Sequence, residues 1–444
     1  MAFSRRFLLF ATLTSAGASR LYIEDRVRAA QLDKSVRLLG VATGIRLLGF
    51  AMVYPFLALY LKRVVGLGYV EVGALVVLVS ILPLAISPFG GLITDRLGRR
   101  RVFLPALGGE AAAVLLVAVS MELDSIAGVL VGAALAGVAG SIAQPAIQAY
   151  VADLTSIPDR TMAYTWVRIG FNAGFTVGVA AGGVLIGFIG FPGTAFVTAA
   201  TLASGVVFIF LMIDPSPYDV ARSRGAAAPG HGPSVAGPGS LRQSVMTLAR
   251  DRTFLILCFA SLFSGEMYGN WSFTFPLFAN TVLLVPYAVL GVALALNGVM
   301  VVFGQAPMTK MMTGRKHTYS AVLAVLFMAA SFIALGGLSL VSGLAVVSVF
   351  AFVVLLTFGE NLGSIPSMTL PSNVAPATEI GSYNGVFGLF NGTGSSLTPV
   401  IAGVILASIG NHLLVWALLA LPGIPALLLY RWAGKRIPAA ANRV

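Results

Sequence analysis

Five charged side chains stand inside long apolar stretches of the sequence: Arg46, Glu110, Arg168, Glu266 and Glu360. A charge at the centre of a bilayer costs about 2.5–3.5 kcal/mol on insertion scales, so each asks for a partner, a cavity or a function. Arg46 lies about ten residues into its apolar segment and Glu266 about thirteen into its own, which at 1.5 Å per residue puts both near mid-depth. A carboxylate there can take up and release a proton, tuned by the opposing effects of desolvation and a neighbouring cation. Glu266 and Arg46 are therefore the first proton-coupling candidates; the alternative is a static structural role for both. Glu360, next to Asn361, is the other carboxylate candidate. Glu110 and Arg168 read as structural, packed against neighbours or reaching toward the surface. His231, His317 and His412 fall in the connecting segments, which leaves a carboxylate to carry the proton.

Neutral polar side chains form a second pattern. Helical spacing places Glu266, Asn270, Phe273 and Thr274 on one face, with Tyr268 and Trp271 beside it. Gly137, Ser141, Gln144 and Gln148 share a second stripe, and Asn384, Asn391 and Ser395 a third. With Tyr54 and Asn361, these residues suggest a cavity for a largely apolar or weakly polar compound. The competing reading is hydrogen bonding between helices, which such side chains also do in membranes. Other chemistries lack their residues. The lone Cys258 leaves no intrachain disulfide and no thiolate metal site, and no Gly-x-x-x-x-Gly-Lys-[Ser/Thr] loop is present for ATP. Paired Asp motifs and Ser/His/Asp sets are absent too, so the chain does not read as an enzyme. No cofactor is expected; a proton gradient is the expected energy source.

The elements that must position these groups are membrane helices. Hydrophobic residues make up 58% of the chain and charged residues 10%, against about 25% charged in soluble domains. Uncharged runs such as 169–213 and 267–309 suffice for two crossings of about 20 residues each. They lack the alternation of a barrel strand. Cutting at charges and turn residues predicts twelve helices, near 36–61, 70–94, 102–121, 125–151, 161–189, 194–213, 253–280, 286–311, 318–339, 342–368, 380–408 and 412–433. The net charge of +12 does not point to nucleic acid, because the basic residues fall on alternate loops. One side holds only Lys62 and Arg63, so the positive-inside rule puts both termini in the cytoplasm of a multi-pass plasma-membrane protein. Trp416 and Trp432 are expected at opposite interfaces, about 24 Å apart along the last helix.

The chain divides into a basic cytoplasmic segment (1–33), a six-helix bundle (34–213), a Pro/Gly/Ser-rich linker (214–250), a second bundle (251–437) and a cytoplasmic tail (438–444). Residues 1–33 also imitate a cleavable signal peptide, although their mixed charge favours an interfacial segment. An internal repeat supports the cut. A shift of 220 lays Gly174 on Gly394, Gly183 on Gly403 and Asp153 on Asn373, and a shift of 221 lays Tyr54-Pro55 on Phe275-Pro276. Two such halves related by an axis along the membrane normal can rock around a site between them.

Between the second and third predicted helices, Gly91-x-x-x-Asp95-Arg96-x-Gly98-Arg99-Arg100 resembles the signature loop of the major facilitator superfamily. Twelve helices and a central linker extend the likeness over essentially the whole chain. Read from the residues alone, Gly91 and Gly98 allow a tight turn, and the arginines hold helix ends at the anionic inner leaflet. The resemblance implies that Asp95 acts as a conformational gate, touching the N-terminus of the eleventh helix near Gly381 and Ser382 and favouring the state closed to the cytoplasm. The second-half loop keeps Gly314, Arg315 and Lys316 but has no such Asp. The resemblance also places the first and seventh helices face to face, with Arg46 opposite Glu266.

Gly174-x-x-x-Gly178-x-x-x-Gly182-Gly183 looks like the antiporter motif of drug exporters, with Val179 in place of its proline; helix packing accounts for the spacing equally well. The arginine that such exporters carry in the fourth helix is Ala133 here. The expectation is a monomeric exporter of small lipophilic or cationic compounds, working by alternating access in exchange for protons. The rivals are an importer or facilitator of a sugar or organic acid, and a receptor or scaffold that moves nothing.

Overall fold

Hydrocarbon offers no water to backbone N–H and C=O groups, and a helix satisfies them within one segment; the apolar runs accordingly fold as helices. The computed structural model describes residues 34–155, 160–213, 220, 250–376 and 380–444, without the side chains of 87, 88, 91, 92, 95, 96, 160, 161 and 380–382. The expected segment 1–33 and nearly all of the linker lie outside the described residues. The first half contains α1 (Lys34–Val53), α2 (Leu57–Arg63), α3 (Tyr69–Leu97), α4 (Arg99–Glu122), α5 (Ile126–Leu154) and α6 (Arg160–Met212). The second contains α7 (Arg252–Ser272), α8 (Thr274–Thr281), α9 (Tyr287–Met312), α10 (His317–Leu338), α11 (Ala345–Val374), α12 (Ile380–Ser408), α13 (His412–Ala420) and α14 (Gly423–Arg436).

Ten described stretches are long and apolar enough to cross a membrane. One of them, Met162–Met212, covers two of the twelve expected helices. They join back to back at Gly190, whose φ of 70° is open to glycine and strained for other residues. The expected seventh helix is α7 followed by α8, which is not among the ten; Glu266 and Asn270 interrupt its apolar face.

The repeat read from the letters recurs in the backbone. The first helix breaks at Val53 (φ −118°, ψ −44°) into a short 3-10 turn, Tyr54–Phe56. The seventh breaks at Phe273 (φ −118°, ψ −66°). Pro55 and Pro276 follow each break by two or three residues, and a proline has no N–H to continue the ladder. The breaks therefore occupy corresponding positions in the sequences of the two halves.

Glycines set the spacing of the principal helix pairs. A Cβ added at Gly174, Gly178 or Gly182 would run into the α1 backbone at Gly44, Leu48 and Met52. These three packing glycines hold α6 against α1 within one half, and Gly394 meets the α7 backbone at Leu262 in the same way. Between halves, Gly183 abuts Tyr287 and Gly291, and Gly73 abuts the Pro399 carbonyl.

The signature-loop arginines do not all face the leaflet as expected. Arg99 is buried and pairs through Nε with Asp153 at 3.0 Å, tying the start of α4 to the end of α5. Arg100 donates to the Phe210 and Ile213 carbonyls at 2.9 and 2.7 Å, satisfying the open end of α6. Gly98, with φ 98°, supplies the turn that puts both in reach. Two further expectations change. Trp416 is wholly buried among Phe278, Phe332 and Phe352 rather than at an interface. Residues 438–444 are no free tail: Asn442, also fully buried, accepts the His317 and Thr318 N–H groups and so caps α10.

Candidate functional site

The two helix breaks open a cavity of about 340 Å³ between the halves. Phe50, Tyr54, Phe175, Trp271 and Phe273 give it aromatic walls, and Ser80, Ser272, Ser395 and Ser396 give it hydroxyls. The lining comes from α1, α2, α3, α6, α7, α8, α9 and α12 and includes no charged side chain. Tyr54 stacks on Phe50 at 4.5 Å between centroids, and Trp271 stacks on Phe275 at 5.5 Å.

Of the expected cavity residues, Tyr54 and Trp271 line this space. Tyr268 and Asn391 line a second chamber of about 260 Å³, inside the second half, together with Glu360, Ser264 and Tyr430. Gln144, Gln148, Asn270, Asn361 and Asn384 line neither cavity. Asn270 is buried and donates to the Glu266 carbonyl at 3.1 Å. Asn361 donates to the Met300 carbonyl at 3.2 Å, Asn384 to Ser372 Oγ at 2.8 Å and Asn391 to the Ser261 carbonyl at 3.1 Å. Asn361, Asn384 and Asn391 thus bond between helices, whereas Asn270 bonds within its own helix. Phe50, Phe175 and the serines of the cavity escaped the sequence reading apart from Ser395; the signal that could have found them is the pair of proline breaks.

The buried charges sort differently from expectation. Arg46 does not pair with Glu266. Its Nε and Nη2 reach Glu110 Oε2 and Oε1 at 2.6 and 3.1 Å, joining α1 to α4 within the first half. Gly140 leaves room for this pair, since a Cβ there would crowd Arg46 Nη2 at 2.8 Å. Glu266 is 4% exposed, and neither carboxylate oxygen has a hydrogen-bond partner among the described residues. Glu360 instead accepts from Tyr268 Oη at 3.0 Å and Asn297 Nδ2 at 2.7 Å. The second half thus holds two carboxylates, one held by donors and one without them among the described residues. The expected Asp95 gate rests on side chains, those of Asp95, Arg96 and Ser382, that lie outside the described ones, as do the surroundings of Gly91 and Gly381.

Comparison with known proteins adds three findings. Residues 39–399 match the family profile of the Major Facilitator Superfamily. Among curated relatives, Multidrug resistance protein 2 of Bacillus subtilis is 30% identical over 166 residues, 37% of this chain and 40% of its own. The MFS-type transporter YhjO of the same organism is 26% identical over 83% of this chain and 85% of its own. A Na(+), Li(+), K(+)/H(+) antiporter of Planococcus maritimus is 26% identical over 52% and 54%. The match thus spans about two-fifths of the first of these relatives. Among solved structures, a peptide transporter POT in complex with sulfate superposes with a TM-score of 0.71 at 14% identity, over 95% of this chain and 99% of the other. The human organic anion transporter MFSD10 gives 0.60 at 18% identity, over 89% and 98%.

Proposed function

The chain belongs to the major facilitator superfamily, and from that membership we propose that it exports lipophilic or cationic compounds by alternating access in exchange for protons. The observation that carries this reading is the 340 Å³ cavity between the halves, aromatic-walled and without a charged side chain. Such a lining favours an apolar body, and ring faces attract an organic cation by roughly 0.5–2 kcal/mol. Efflux-type relatives support the same direction.

Glu266 is the proposed proton carrier. A buried charge without a partner is costly, and taking up a proton removes that charge. Glu360, already held by two donors, is the second carboxylate of the cycle. Val179 and Ala133, standing where exporters carry a proline and an arginine, favour a second reading: import or facilitated passage of a small metabolite.

The purified chain in liposomes, with an imposed pH gradient and a panel of dyes, sugars and organic acids, separates these readings. Export predicts that a lipophilic cation moves against its gradient when protons flow the other way. Glu266→Gln should abolish that accumulation while leaving counterflow of the same compound intact. Sugar or acid uptake without dye movement would overturn export in favour of the second reading. Absence of counterflow for every compound would favour a receptor.

A further inference from the structure

A second concavity lies on the outer face of the first half, where α3, α4 and α5 meet, with a volume of about 650 Å³. Its lining is apolar except at one end, where Arg101 stands. Five of the exposed positions along α4, Arg101, Pro105, Gly109, Ala112 and Leu116, line it; they are spaced by four, four, three and four residues, so they form one stripe. Small side chains make its floor, and Leu97 and Leu135, both about half exposed, stand at its sides. A Cβ at Gly109 would meet nothing closer than Ala139 Cβ at 3.9 Å, so the trough is open there. From Arg101 to Leu116 it runs about 22 Å at 1.5 Å per residue, more than the half-thickness of a hydrocarbon core of about 30 Å.

Arg101 differs from its two neighbours. Arg99 is used by Asp153 and Arg100 by the end of α6. Arg101 is exposed and has no hydrogen bond, ion pair or ring contact among the described residues. It stands at the end of the helix that the basic loops assign to the cytoplasmic surface, where an uncommitted guanidinium meets phosphate oxygens and binds them in a planar fork.

The geometry points to a binding site for one anionic phospholipid of the bilayer: the headgroup phosphate on Arg101, and an acyl chain along the trough over Gly109 and Ala112. Anionic headgroup and apolar tail match the single cation and the apolar lining in order along the groove. The site lies outside the transport cavity and fastens lipid to the turn that Arg99 and Arg100 tie to α5 and α6.

The test uses the full chain in detergent, delipidated, with phosphatidylglycerol or phosphatidylcholine of matched acyl chains added back. Bound lipid is counted by native mass spectrometry. The parent chain should retain phosphatidylglycerol in preference to phosphatidylcholine. Arg101→Gln should lower that preference roughly fivefold, the effect of one basic side chain at a membrane surface. Arg101→Lys should keep most of it. Lys435→Gln, which removes an exposed charge at the end of α14, should leave it unchanged. Gly109→Leu adds a side chain where a Cβ meets nothing closer than 3.9 Å, fills the trough and should reduce retention of both lipids. Equal retention of the two lipids by the parent chain, equal effects of Arg101→Gln and Lys435→Gln, or unaltered retention by Gly109→Leu would each overturn the site. Competition by inorganic phosphate alone, as effective as by phosphatidylglycerol, would reduce it to an ion contact and overturn the groove.

Discussion

Glu110 and Glu266 are both buried carboxylates in apolar surroundings, and the structure gives them opposite consequences. Glu110 neutralises Arg46 through two short contacts. Removing one partner of a buried pair strands the other charge, so Glu110→Gln should lower stability by about 3–5 kcal/mol, read as the loss of unfolding free energy in detergent. Glu266→Gln removes a carboxylate whose oxygens have no partner, and should leave stability unchanged or raise it. A stability loss for Glu266→Gln as large as that for Glu110→Gln would show that a donor reaches Glu266 after all. The sequence made all five interior charges visible, because each interrupts an apolar run. Pairing was not visible. Distance along a helix gives depth but not the azimuth at which a side chain leaves a bundle, and Arg46 turns toward α4 rather than toward the opposite half.

Glycine spacing was legible on α6, and its role follows from what it touches. Gly174, Gly178 and Gly182 seat α6 on the α1 backbone, so the stripe that looks like an exporter motif acts here as a packing seam. Only Gly183, one position on, reaches across to α9. Gly174→Leu should therefore cost at least the roughly 1–3 kcal/mol typical of overpacking and lower the yield of folded protein. Gly108 provides the contrast: it lies within α4 with open space around its Cα, and Gly108→Ala should stabilise by up to about 1 kcal/mol through helix propensity. Thermal unfolding of the two variants side by side checks the pair; destabilisation by Gly108→Ala would mean the space is occupied. Loop residues were harder to read. Arg99 and Arg100 looked like membrane anchors because charge at a helix end normally faces headgroups, whereas Asp153 and the α6 carbonyls claim them. Those partners are 54 and about 110 residues away in sequence, beyond any local pattern.

Among the described residues, polar contacts join the two halves at the end that carries the 63–69 connection. Arg63 donates through Nε to Asn280 Oδ1 at 3.1 Å and through Nη2 to the Asn280 carbonyl at 2.5 Å. Beside it, Tyr69 Oη and Thr281 Oγ1 lie 3.0 Å apart. At the opposite end, Arg168 reaches Met368 Sδ across the halves at 3.6 Å, a contact to a weak acceptor. The proposed division into halves was legible because the breaks and glycines recur at a shift of 220 and the prolines at 221. Which end closes was not, since two states of one sequence differ by only a few kcal/mol. In the proposed orientation, with the basic loops inside, the Arg63 contacts lie at the outer end and would favour the state open to the cytoplasm. The proposed Asp95 latch favours the reverse state, so the two devices should oppose each other. Arg63→Ala gives up hydrogen bonds from a charged group, worth about 1.5–3 kcal/mol, and should move the equilibrium toward outer opening by roughly tenfold to a hundredfold, at about 1.4 kcal/mol per decade. Asp95→Asn should lower transport with expression intact and shift the population the other way. Spin-label distances between the outer ends of α3 and α12 report both shifts, longer for Arg63→Ala and shorter for Asp95→Asn, with the double variant returning toward the parent. Movement of both single variants in the same direction would mean that they do not act on one two-state equilibrium, and unchanged transport kinetics in Asp95→Asn would remove the latch.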